Sequence, residues 1–168
     1  MSLSMYRTSI PVFIRGMKVL SALIEKGAAH AAAQGLDPAT LVNGRLAPDM
    51  LTLAGQVQRA SDTAKASAAR LSDGEAPSFA DEETTLDELQ QRIAKTIAYL
   101  ETIRPETVDG SESREIGMFS GERRKVFRGD DYLLTFALPN FFFHVTTAYD
   151  ILRHQGVEVG KRDFLGAY

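Results

Sequence analysis

The stretch LPNFFFHVTTAYDILRHQG, residues 138–156, decides the fold. It is apolar enough to bury one side and polar enough to leave another wet. A helix advances each residue by about 100°, so positions i, i+4, i+7 and i+11 share a face. On that spacing Phe136, Asn140, His144, Thr147 and Ile151 fall in one row. Two apolar ends bracket three polar side chains. The segment reads as a helix that begins near Asp130, with Asp130 as N-cap after Gly129. It runs to about His154 and stops at Gly156. Pro139 lies inside it and has no N–H for the carbonyl of Thr135, so a bend is expected beside Asn140.

Working outward, three more segments carry helical periodicity. The first spans roughly Ser4 to Gln34, with Phe13, Met17, Leu20 and Ile24 as its stripe, Leu23 and Ala28 beside it, and Gly35 as its stop. Pro11 either kinks this helix or marks the start of its regular part. The second spans roughly Pro48 to Leu71, with Pro48 in the first turn. Its inner stripe, Met50, Ala54, Val57, Ser61, Ala64, Ala68 and Leu71, is small and predicts tight packing. The third opens on a T-x-x-E capping box, Thr85 and Glu88, and continues through Leu86, Leu89, Ile93, Ile97 and Leu100 to Arg104-Pro105. Between the third and fourth helices, REIGMFSGERRKVF predicts a short β-hairpin turning at Ser120-Gly121, with an irregular loop as the alternative. The tail is expected to lie on the bundle through Phe164 and Leu165.

Four long amphipathic helices make an all-α four-helix bundle, a single domain over residues 1–168. The connections at residues 72–84 and 105–130 are far longer than antiparallel neighbours need, so wiring with a crossover is expected. The net charge of -3 gives no nucleic-acid footprint. The absence of cysteine excludes disulfides, thiolate metal sites and cysteine nucleophiles. No apolar run approaches the roughly 20 residues of a membrane span. MSLSMYRTSIPVF lacks the pattern of a secretory signal, so a cytoplasmic location is expected.

The chemistry concentrates on the inward row of the fourth helix. Gln58 and Asp62 on the second helix, spaced i and i+4, border the small stripe and either face Asn140 and His144 to complete a polar pocket or, for Asp62, lie exposed at the helix edge. In an enzyme His144 is then the general acid or base, oriented by Asp62 or Gln58, with Asn140 holding a substrate oxygen and Thr147 lining the site. The plain alternative is a core histidine satisfied by its neighbours, with Asn140 repairing what Pro139 breaks. A pair of histidines four apart on a helix is a strong metal signal, but here the pair is Asn140 and His144. His154 lies about 15 Å further along the helix, and His30 has no partner at ligand spacing.

The segment HVTTAYDILRHQG resembles the last-helix motif of the DinB/YfiT-like superfamily, on His144, Arg153 and Gly156. SLSMYRTSIPVFIRGMKVLSALIEKG, RLAPDMLTLAGQVQRASDTAK and DYLLTFALPNFFFHVTTAYDILRHQGVEVGKRDFLG resemble a bacterial domain-of-unknown-function family within it. The resemblance covers nearly the whole chain. It implies a DinB-like four-helix bundle, usually dimeric. It also implies a divalent metal held by one second-helix histidine and an H-x-x-x-H pair, with thiol-dependent transferase or isomerase chemistry in some members. Carried over residue by residue, the first histidine of the pair falls on Asn140, the second-helix one near Gln58, and only His144 survives. A zinc or nickel ion held by His144 is therefore expected to be weak or absent. The expected outcomes are a small-molecule site, as an enzyme or a binding protein, or a structural homodimer around a vestigial pocket.

Overall fold

Ser4 takes an extended backbone and its hydroxyl accepts the N–H of Arg7, which opens α1, Met5–Gln34. The computed structural model describes residues 3–119 and 121–166. Pro11 sits within α1 without ending it, and Gly35, at φ 63°, turns the chain out in the left-handed conformation glycine adopts freely. A short α2, Pro38–Val42, follows. The next long helix, α3, is Leu53–Ser72. It begins five residues after Pro48, because the Thr52 hydroxyl accepts the N–H of Gly55 and caps it there. Of the expected inner stripe, Ala54, Val57, Ser61, Ala64, Ala68 and Leu71 are buried, while Met50 lies outside the helix.

The capping box forms as expected and opens α4, Leu86–Glu101. Pro105 starts the short α5, Pro105–Val108. The hairpin is present as β1, Glu115–Met118, and β2, Lys125–Arg128, antiparallel with Ile116 opposite Phe127. Gly121 has φ 59° in its turn, while Ser120 lies outside the described residues.

The last helical run has three parts: α6, Gly129–Asp131, a π-helical turn, Tyr132–Ala137, and α7, Leu138–His154. Asp130 is not its N-cap. Gly129 is already helical, and the Asp130 carboxylate accepts the N–H of Asp131 beside Arg128. Pro139 does not bend a regular helix either. The N–H of Leu138 reaches back five residues to Leu133, so the register shifts first and Pro139 falls in the opening turn of α7, where no N–H is needed. The tail forms α8, Lys161–Leu165, held to α1 by Lys26–Asp163 and to Tyr149 by Phe164.

α1 and α3 each pack against both α4 and α7, so they stand at opposite corners. Ser21 bonds Gln90 and Tyr6 bonds Asp109, which makes α1 and α4 antiparallel. Gly16 meets Phe141 and Gly27 meets Leu152, which makes α1 and α7 parallel. Thr63 meets Asn140 and Gln56 meets His144, so α3 opposes α7. It follows that α3 and α4 are parallel neighbours, joined across the buried Ser61–Thr96 hydroxyl pair at 2.7 Å. Residues 73–85 must then return along the bundle, which is the expected crossover. Among the described residues no helix is long and apolar enough to span a membrane.

Candidate functional site

The small inner stripe of α3 leaves a polar edge on each side. One edge carries Gln56 and Thr63 toward α7, and the other carries Gln58, Asp62 and Lys65 toward α4 and the crossover, with Arg59 paired to Asp62 and Asp81. A residue two positions along a helix lies about 200° around it, so Gln56 and Gln58 cannot share a face.

On the α7 side each amide is fixed by what lies behind it. Gln56 is buried, and its Nε2 donates to the carbonyl of Leu51 at 3.3 Å. Its Oε1 therefore points at His144, 2.8 Å from Nδ1. An amide oxygen only accepts, so Nδ1 carries the proton and the neutral ring keeps its lone pair on Nε2. Thr63 donates its hydroxyl proton to the carbonyl of Arg59 at 2.7 Å. It can then only accept from Asn140 Nδ2, at 2.8 Å, which leaves Asn140 Oδ1 as the outward acceptor. One turn apart on α7, His144 Nε2 and Asn140 Oδ1 are thus two acceptors without a hydrogen-bond partner among the described residues. Both residues are half-buried.

Burial holds the His144 pKa below the ordinary histidine value, and the positive charge of Arg59 pushes it further down. The lowered pKa favours the neutral ring, and the bond to Gln56 selects its Nδ1–H tautomer. The edge of Phe143 stands against it, ring centroids 5.3 Å apart. The π-helical turn just upstream sets the rotation of α7 that brings Asn140 and His144 onto α3.

Gln58 and Asp62 lie elsewhere. Gln58 Nε2 donates to Glu83 at 2.9 Å, and Asp62 takes Arg92 at 2.8 Å and Lys65 at 3.2 Å. Neither contacts His144, because the strongest cation within reach of Asp62 is the buried guanidinium on α4. Thr147 is buried and gives its hydroxyl to the carbonyl of Phe143 in its own helix. The residues missed from the sequence are Gln56 and Thr63. The stripe centred on Val57 and Ser61 gives the buried face of α3 but not which flank meets α7.

The donor set does not fit zinc or nickel. It offers one imidazole nitrogen and one amide oxygen, whereas such ions favour several imidazoles or anionic ligands. Among the described residues no three histidine, cysteine, aspartate or glutamate side chains gather to hold a metal.

A family model described as a domain of unknown function, DUF1993, matches residues 5–165. The chain belongs to the DUF1993 family. A crystal structure described as a DinB family member protein from Shewanella denitrificans is 42% identical to this DUF1993 chain. The two superpose with a TM-score of 0.91 over 97% of this chain and 92% of the other. The bundle of this DUF1993 protein is therefore DinB-like. No curated protein matches the chain.

Proposed function

We propose that the seam between α3 and α7 at Asn140 and His144 is a small-molecule site built on a neutral imidazole in place of a metal. One observation carries this reading: the chain from Leu51 through Gln56 to Nδ1 of His144, which commits that nitrogen and leaves Nε2 of this half-buried residue as a base. A group so placed accepts a hydrogen bond, or a proton, from a hydroxyl or amine of the ligand. Asn140 Oδ1 receives a second donor one turn away. Gln56 takes the orienting role that an aspartate plays in other histidine bases, but without a negative charge to stabilise an imidazolium. The site therefore suits ligand binding and mild base chemistry.

The test joins spectroscopy to metal titration. Side-chain nitrogen shifts should report the Nδ1–H tautomer of His144, and zinc or nickel should not bind stoichiometrically to the tag-free chain. Asn140→His restores imidazoles at i and i+4 and should raise zinc affinity by at least about tenfold. Tight zinc binding by the natural chain, lost in His144→Ala, would overturn the metal-free reading.

The second reading is a homodimer around a vestigial network. Its support is the apolar outer face of the last helical run, where Leu134 is 60% exposed and Phe143 57%. Sedimentation at micromolar concentration should give a dimer, and a monomer throughout would exclude this reading.

A further inference from the structure

A cavity of about 370 Å³ lies on the other face of α7, away from His144, and is walled by three elements. α1 supplies Pro11, Val12 and Val19, α7 supplies Phe142 and Val145, and α8 supplies Phe164 and Leu165. Its size is that of a small-molecule pocket, and its walls are almost wholly apolar. Its shape follows from the chain. Gly16 lets the Phe141 ring sit against the backbone of α1, since an added Cβ would lie 2.3 Å from that ring. α8 is held across α1 by Lys26–Asp163 at 2.6 Å. Phe164 and Leu165 thereby close one side of the space between α1 and α7.

The polar lining group is Arg15. Its side chain is exposed, and one guanidinium nitrogen donates to the carbonyl of Leu165. Among the described residues it makes no ion pair with a carboxylate, although the chain carries 22 acidic residues. A second cavity beside the first shares Pro11, Arg15 and Val19, so Arg15 stands on the ridge between them. A planar fork with spare N–H donors at the mouth of an apolar hole is complementary to one kind of small molecule. Its body must be apolar, and its head must be a planar monoanion that the fork can grip through two oxygens.

We propose that this cavity binds an amphiphilic monocarboxylate, with the apolar chain against Phe142, Val145 and Phe164 and the carboxylate on Arg15. Among the described residues Arg15 is the one cation lining this cavity, and the neighbouring cavity balances its Lys18 with Glu101 and Asp163, which argues for a monoanion over a phosphate. The site does not depend on His144, which lies on the seam between α7 and α3.

The experiment is calorimetric titration of the full chain with octanoate, and with 1-octanol as the neutral analogue of the same length. The expected result is saturable binding of one octanoate per chain. Octanol should bind at least about tenfold more weakly, the cost of losing a charge-assisted hydrogen-bond pair. Arg15→Gln should weaken octanoate by the same factor, and its exposed position leaves folding intact. Val12→Trp, at a half-exposed wall position, should fill the space and abolish binding. His144→Gln should leave octanoate binding unchanged. Equal binding of octanol and octanoate, an unaffected Arg15→Gln, or no saturation at millimolar octanoate would each overturn the proposal.

Discussion

The two edges of α3 hold polar clusters of opposite kinds. Toward α4 the groups are charged and paired with one another, with Arg92 Nε alone in the cluster left without a partner among the described residues. Arg92, with its side chain 1% exposed, binds Asp62 at 2.8 Å, Asp81 at 3.0 Å and Glu83 at 2.9 Å. Lys65 adds Asp62, the carbonyl of Pro77 and the face of Phe79, so the crossover is clamped to both helices. Toward α7 the groups are neutral, each makes one cross-helix bond, and two acceptors stay open. Charges gathered around one buried guanidinium pair mainly with one another and become structure. Neutral amides that are each anchored from behind keep a free side, and only a free side can meet a ligand.

The sharpest way to break this contrast is Arg92→Met. It strips Glu83 of its cation, leaves Asp62 and Asp81 to Lys65 and Arg59, and should cost about 2 to 4 kcal/mol in denaturant unfolding. That is below the fully buried case, because Asp62 and Asp81 are about a third exposed. A loss under about 0.5 kcal/mol would mean the cluster is ornamental. On the other edge Gln56→Leu strands the Leu51 carbonyl and the Nδ1 proton of His144, and about 1 to 2 kcal/mol is expected. Thr63→Val frees the Asn140 amide to turn over and should cost about 0.5 to 1 kcal/mol, since Asn140 is half-buried and water can replace the bond.

Acid separates the two edges by pH window. Burial alone would raise the Glu83 pKa, but hydrogen bonds from Gln58 and Arg92 outweigh it and hold it below its usual 4.5. Its contribution is therefore complete above about pH 4.5 and lost as pH falls below that. The His144 pKa is lowered by burial and then by Arg59, so the folded state resists the proton that the unfolded chain accepts near 6.5. That contribution is complete above about pH 6.5 and fades as pH drops toward the folded value. In a pH series of chemical denaturation, His144→Gln should flatten the upper step and leave the lower one. An unchanged upper step would place the titration on another group.

The helices were legible because their signals are local. Thr85 and Glu88 announce their own capping box, and Gly35 and Gly156 mark their own stops at φ 63° and φ 89°. The start of α3 was misread because Pro48 is a permissive first-turn residue while Thr52 supplies an actual bond. The last helix of the site was legible for the same reason as the stripes: Asn140 and His144 share a face by spacing alone. Their partners were not. Gln56 and Gln58 are alike in type and flank the same stripe, and the choice between them depends on which helix stands on which side. Nothing within α3 encodes that. The carboxylate expected to orient His144 went instead to Arg92, a residue thirty positions away whose pull only the folded bundle supplies.

The parallel pairing of α3 and α4 has a consequence for how the chain reaches this state. α1 and α3 are diagonal, α3 and α4 run the same way, and α4 and α7 are diagonal again. No two long helices that follow one another in the chain form an antiparallel hairpin, so local docking cannot seed the bundle. Each productive helix pair must wait for a distant segment to be made and brought back, with the loop-closure entropy this entails. Slower refolding than in an up-and-down bundle of equal length is the expected kinetic signature.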